Sequence, residues 1–200
     1  MNRPTLIFAT NNQHKVNEIN SIIGKLVNVI TLQEAGIDID IPEPHPTLEE
    51  NAAEKSGTIH RLTGKNVFSE DTGLEVFALH GEPGVKSARY AGEQKNFQAN
   101  IDKLLLNLDG KENRTAQFRT VVSLIWDQHE YQFEGICKGS ISKIQSEGKS
   151  GFGYDPVFIP DGATISFADM TLEEKNQYSH RKKAITQLVD FLNQLTDEQN

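Results

Sequence analysis

Ser69-Glu70-Asp71-Thr72-Gly73-Leu74 sets two adjacent carboxylates, a hydroxyl and a glycine directly after Asn66-Val67-Phe68, an apolar run that reads as a buried strand. Such a group at a strand end suits holding a metal ion or activating a water, because ligands of α/β sheets collect beyond the strand ends. The ordinary alternative is a solvated turn carrying two surface acids. A third carboxylate, Glu43, lies in an acidic loop over residues 37–46, flanked by Pro42 and Pro44. Proline on both sides lowers the entropy lost in fixing that loop. Glu43 could therefore join Asp71 as a hard-oxygen ligand for Mg²⁺, which takes one or two carboxylates beside substrate phosphates and waters. Side chains alternate along an extended strand, so Ser69 and Asp71 share one side and Glu70 points away. Asp71 is then the principal acid, with Glu70 in a supporting or outer metal role.

Three further segments could bind an anion or a base. Thr10-Asn11-Asn12-Gln13-His14-Lys15 runs from a strand into a helix start, where unpaired amides and the positive end of the dipole favour phosphate. Lys15 in the first turn opposes that dipole, which makes better sense if an anion sits between them; otherwise the helix is merely capped. Gly148-Lys149-Ser150 resembles a phosphate-binding Gly-Lys-Ser, but position 143 is Lys where that pattern needs Gly. In Gly151-Phe152-Gly153-Tyr154-Asp155-Pro156 the glycines allow close backbone approach. Phe152 and Tyr154 could stack on a base, and Asp155 could accept from ring N–H groups. Equally, the aromatics could pack into the core. Lys175, Ser179, His180 and Arg181 gather at a break between two helices and could donate to a 6-oxo group or phosphate, or form a solvated basic patch. His45, His60, His80 and His129 have no metal-ligand spacing.

The elements that must position these residues follow from periodicity. Thr5–Ala9 reads as a strand and the stretch bearing Val16, Ile19, Ile22 and Ile23 as a helix with Gly24 past its end. Residues 27–32 read as a second strand. Thr47-Leu48-Glu49-Glu50 has the capping-box pattern and starts a helix to about Leu62, placing Lys55 about two turns in. A strand over 66–70, a helix near Gln94–Leu108, and strands over Thr115–Trp126, Tyr131–Cys137, Gly139–Ile144 and Val157–Ile159 follow. The strand succession after 115 predicts an antiparallel part of the sheet. A second Thr-Leu-Glu-Glu box at 171–174 opens a short helix, and Ser179 is placed to cap the last one. The 200 residues predict one α/β domain with a mixed sheet, possessing at most two lobes. A net charge of −8 argues against a nucleic-acid or anionic-membrane surface. One cysteine, Cys137, excludes an intramolecular disulfide, and with no secretory leader pattern the expected compartment is the cytoplasm.

Taken in order, these segments resemble the inosine-triphosphate pyrophosphatase family, which hydrolyses non-standard purine nucleoside triphosphates. The resemblance rests on Phe8 to Lys15, Glu50-Asn51-Ala52 with Lys55, Glu70 to Leu74, Pro83-Gly84 with Ser87-Ala88-Arg89-Tyr90, Gly151 to Pro156, and Glu174-Lys175 with Ser179-His180-Arg181. It implies an elongated mixed β-sheet flanked by helices, two lobes with a central cleft, and a homodimer. It implies conversion of ITP, dITP or XTP to the monophosphate and pyrophosphate with Mg²⁺. Thr10 to Lys15 (including Asn11, Asn12, Gln13 and His14) and Lys55 would hold the triphosphate. Asp71 would be catalytic, Glu43 and Asp71 would hold the metal, and Thr72 and Arg89 would touch substrate. Phe152, Gly153, Tyr154, Asp155, Lys175, His180 and Arg181 would read base and sugar. A Maf-like pyrophosphatase of other nucleotides and a nucleotide sensor without turnover are the alternatives.

Overall fold

The computed structural model describes residues 5–23, 27–148 and 150–197, the side chains of 196 and 197 excepted. In chain order its elements are β1 (Thr5–Phe8), α1 (Gln13–Ile23), β2 (Asn28–Thr31), α2 (Leu48–Thr63), β3 (Val67–Val76), β4 (Pro83–Gly84) and α3 (Phe97–Asn107). They continue with β5 (Thr115–Trp126), β6 (His129–Ile141), β7 (Phe158–Pro160), α4 (Leu172–Tyr178) and α5 (His180–Asp197). The strands form one mixed sheet in the order β2-β1-β3-β5-β6-β7, with β4 paired to β3. β1 is parallel to both β2 and β3, with Ile7 opposite Ile30 and Val67. Parallel neighbours need crossovers, and α1 and α2 are those crossovers. β5 and β6 are joined through Asp127 and Gln128, both at positive φ (47° and 69°), the backbone that a tight two-residue hairpin requires.

The chain divides into two compact units, residues 1–71, 120–135 and 181–200 in the first and 72–119 and 136–180 in the second. In the first unit β1 is buried on both faces. Leu6 and Phe8 pack with Val16 and Ile19 of α1 and Ile185 and Leu188 of α5, and Ile7 and Ala9 pack with Ile41 and Ile59. This is the period-2 split of a central strand; Phe8 stacks on Phe68 at 4.5 Å. In the second unit Leu74, Ile101, Leu104, Phe118, Phe158 and Phe167 form the core.

Two predicted boundaries are corrected. β3 does not end near residue 70: the acidic stretch lies inside a ten-residue strand, because its buried carboxylates find cationic partners and Gly73 lies close against the backbone of Gly84. The two strands predicted over 131–144 are one, β6, in which Gly139 pairs opposite Pro160. A Cβ there would overlap the backbone of β7, so this glycine marks a close approach rather than a break. Thr47 caps α2 by accepting from Glu50 N, and Thr171 and Glu174 form a reciprocal capping box on α4. Asn96 caps α3, which begins at Phe97. Ser179 ends α4, its N–H donating to Lys175 O. Gly24 lies outside the described residues.

Candidate active site

β3 presents its acids to two different helical layers of the first unit, as strand alternation requires. Ser69 Oγ donates to Ala52 O of α2 at 2.5 Å, and Asp71 Oδ1 accepts from Lys55 Nζ of the same helix at 2.9 Å. Glu70, between them, faces the other way. Its Oε1 meets Lys15 Nζ at 2.8 Å, and both its oxygens accept from Arg181, from Nε at 3.1 Å and Nη2 at 3.2 Å.

The Asp71 side carries a net negative charge. Lys55 Nζ donates also to Glu43 Oε1, at 2.7 Å, so one ammonium lies between two carboxylates. Burial raises the Asp71 pKa and the charge of Glu43 adds to the rise, against the opposing pull of Lys55 and Lys15. Burial alone would lower the Lys55 pKa, but Asp71 and Glu43 outweigh it and hold the ammonium charged. An ammonium has three N–H donors, of which these carboxylates take two. Glu43 is the more open acid, its side chain 25% exposed against 9% for Asp71.

The Glu70 side is a closed ionic chain. Arg181 is 1% exposed; besides its fork onto Glu70 it donates through Nη1 to Glu18 of α1. Glu18, Arg181, Glu70 and Lys15 together hold two anions and two cations and are neutral. Burial would raise the Glu70 pKa, but Arg181 and then Lys15 hold the carboxyl well below the usual range. Arg181 is correspondingly raised, its carboxylates outweighing burial. A forked, charge-assisted pair of this kind fixes geometry as well as charge.

The turn at the start of α1 is internally capped. Asn12 Oδ1 accepts from His14 N at 3.0 Å and Lys15 N at 3.4 Å, and Asn12 N donates to Thr10 Oγ1 at 3.1 Å. The amides of 12, 14 and 15 are therefore bonded within the turn. Asn11 Nδ2 donates to Ile39 O at 2.9 Å, tying the turn to the acidic loop, and Gln13 pairs with Asn17.

In the second unit the glycine-rich turn organises a carboxylate. Asp155 Oδ2 accepts from Phe152 N at 2.8 Å and from Lys175 Nζ at 2.7 Å, and both charged side chains are buried. Gly151 has φ +79° and a Cβ there would overlap Asp155 Oδ2, so glycine is required on both counts. Lys175 Nζ also lies 5.6 Å from the Phe152 ring centre and 5.3 Å from that of Phe167, within cation–π range. Phe152 is half-buried against Phe97. Tyr154 is a core residue instead: it is buried, and its hydroxyl donates to Ser87 O at 2.8 Å. His180 is buried too, stacked on Phe118 at 4.7 Å. Gly153 adopts φ +64°. Arg89 pairs at the surface with Glu93 at 3.3 Å, and Thr72 is half-buried on β3.

Two members escaped the sequence reading. Glu18 stands three residues after Lys15, a spacing that puts both on one helix face and could have drawn attention to it. Asn51 stands out in sequence only through its motif, although it is 1% exposed and bonds the loop carrying Glu43 through the backbone N and O of His45. Among the described residues no three His, Cys, Asp or Glu side chains converge as a metal cage, and no helix is long and apolar enough to cross a membrane.

The chain is similar along nearly its whole length to proteins named dITP/XTP pyrophosphatase. That of Porphyromonas gingivalis is 52% identical over 94% of this chain and 96% of the relative, and that of Flavobacterium psychrophilum 48% identical over 93% and 97%. The solved Ham1 protein of Staphylococcus aureus superposes with a TM-score of 0.85 at 42% identity, covering 94% of this chain and 98% of that one. A Ham1 protein from Coxiella burnetii gives 0.87 at 31% identity, over 96% and 99%. The model of the Ham1 family matches residues 6–191, and with the acid–lysine arrangement carried on β3 and α2, this chain belongs to the Ham1 family.

Proposed function

We propose that this protein hydrolyses non-standard purine nucleoside triphosphates, ITP, dITP and XTP, to the monophosphate and pyrophosphate with Mg²⁺. The observation that carries the reading is the Glu43–Lys55–Asp71 group: two carboxylates on one ammonium, with a surplus negative charge, in a chain whose full-length relatives are named dITP/XTP pyrophosphatase.

Charge decides which acids suit a metal. Glu43 and Asp71 converge with one cation between two anions, so a divalent ion is attracted there and one or two carboxylates are what Mg²⁺ takes from a protein. Glu70 belongs to a neutral chain in which Arg181 and Lys15 already engage both oxygens, so it supports Lys15 and is not proposed as a ligand. When bound, Mg²⁺ neutralises phosphate charge and acidifies water. Lys55, kept charged by its acids, binds the triphosphate through its remaining donor capacity. Lys15 adds a positive field that Glu70 fixes in place. Asp71 orients the attacking water, whose acidity the metal would raise. Cleavage of the α–β bond asks for charge neutralisation and a positioned water rather than a covalent nucleophile.

For the base, the half-buried Phe152 ring is the stacking partner, and Asp155 with Lys175 is a paired acceptor and donor set. His180 and Arg181 are themselves buried, so in this reading they act by holding their own surroundings in place. Donors facing a 6-oxo group meet the donors of adenine's amino group, a mismatch of a few kcal/mol in a dry pocket.

The test is incubation with Mg²⁺ and ITP, dITP, XTP, ATP, GTP or dUTP in turn, measuring pyrophosphate against orthophosphate. Pyrophosphate from the first three in preference to ATP is expected. Orthophosphate as product would remove α–β cleavage, preference for dUTP would favour a Maf-like enzyme, and binding with no turnover would favour a sensor.

A further inference from the structure

Glu43 is carried on a loop, so something other than secondary structure must hold its carboxylate against Lys55. The loop is tied down on both sides of it. Before it, Ile41 is buried with Ile7, Leu32 and Ile59, and Asn11 Nδ2 donates to Ile39 O at 2.9 Å. After it, the Asn51 side chain grips His45 by both backbone atoms: His45 N donates to Asn51 Oδ1 at 2.9 Å, and Asn51 Nδ2 donates to His45 O at 3.1 Å. Asn51 stands one helical turn before Lys55 on α2, so the helix that supplies the ammonium also supplies the clamp on its carboxylate partner. An amide is the side chain that offers one donor and one acceptor side by side, and Asn51 is almost fully enclosed.

We infer that Asn51 is a positioning residue: its two-bond clamp on His45 fixes the Glu43 carboxylate relative to Lys55 and Asp71, and it acts on turnover only through Glu43. This rests on the proposed pyrophosphatase reading. Pro42 and Pro44 stiffen the link from Glu43 to the clamped residue, so a shift at His45 is transmitted to Glu43 rather than absorbed.

The experiment is a double-mutant cycle with a structural readout in the nucleotide-free protein. Asn51→Ala should lower kcat/KM for ITP by about tenfold or more, the scale of a small misplacement in a catalytic group. In a Glu43→Gln background, read by single turnover with enzyme in excess, the same change should cost about twofold or less. Asn51→Asp keeps the acceptor for His45 N and loses the donor, so it should fall between. Amide exchange at His45 should accelerate by about tenfold in Asn51→Ala while the β1 and β3 amides stay protected. Equal losses in both backgrounds would show a general structural role and overturn the inference, as would unchanged exchange at His45. If the wild type releases no pyrophosphate, the functional reading falls, and the exchange measurement by itself decides whether the clamp exists.

Discussion

Replacing Arg181 by methionine would test whether the buried ionic chain behaves as a unit. The guanidinium is 1% exposed and meets Glu70 through two hydrogen bonds and Glu18 through a third. Methionine keeps much of the length and apolar contact of the stem while removing the charge and every donor. Glu70, whose side chain is fully enclosed, would lose its guanidinium partner while keeping Lys15, and Glu18 would face an uncharged neighbour. Removing one partner of a buried pair costs about 3–5 kcal/mol, because the stranded charge stays desolvated. Against a typical total of about 5–15 kcal/mol that is a large share, and for a chain of this size it lowers Tm by on the order of 10 °C. Urea denaturation at neutral pH, followed by two probes to confirm a single transition, gives the difference directly. Adding Glu70→Gln to Arg181→Met should recover part of the loss, since the stranded anion is then gone. A single variant within about 1 kcal/mol of wild type would refute the claim that Glu70 depends on Arg181 for its charge. Full stability with lost turnover would instead make Arg181 a substrate contact.

Four other outcomes follow from the same geometry. Asp71→Asn should abolish pyrophosphate release while nucleotide binding, followed by calorimetry, remains measurable; near-normal turnover would remove Asp71 from the mechanism. Chelation of divalent ions with EDTA should stop turnover and leave the thermal transition in place, because Lys55 gives both Glu43 and Asp71 a counter-charge from the protein itself. Gly151→Ala should destabilise by about 1–2 kcal/mol from the left-handed backbone alone. It should also raise KM, since the new Cβ displaces the Asp155 carboxylate from Phe152 N and Lys175. Tyr154→Phe should cost about 1 kcal/mol at neutral pH, Ser87 O keeping a bond from Asn100 Nδ2. Burial raises the Tyr154 pKa above its ordinary value, so the folded state keeps a proton that the unfolded chain loses above about pH 10. Wild-type stability is therefore intact below that pH and falls as pH rises beyond it, and the phenylalanine variant should show a shallower alkaline fall in denaturation midpoint.

Much of the architecture was legible because it is written in local periodicity. Thr115–Trp126 reads as a strand from its alternation and is β5. The two Thr-Leu-Glu-Glu boxes mark the starts of α2 and α4 because their chemistry closes within four residues. Gly139 and the acidic stretch of β3 misled for a common reason. Glycine and carboxylates mark turns on average, and only the neighbouring strand or a distant cation shows that here they lie inside strands.

Residue types and order by themselves determined the family resemblance, the caps of α2 and α4, the antiparallel part of the sheet, and the alternation that sends Asp71 and Glu70 to opposite sides. What each acid meets there was decided by tertiary structure alone. Asp71 shares Lys55 with Glu43, 12 residues before that lysine, while Glu70 is forked by Arg181, 111 residues away. The cause is electrostatic: a carboxylate's chemistry depends on the net charge and desolvation of its surroundings. Those surroundings are assembled by packing between elements that no local pattern connects.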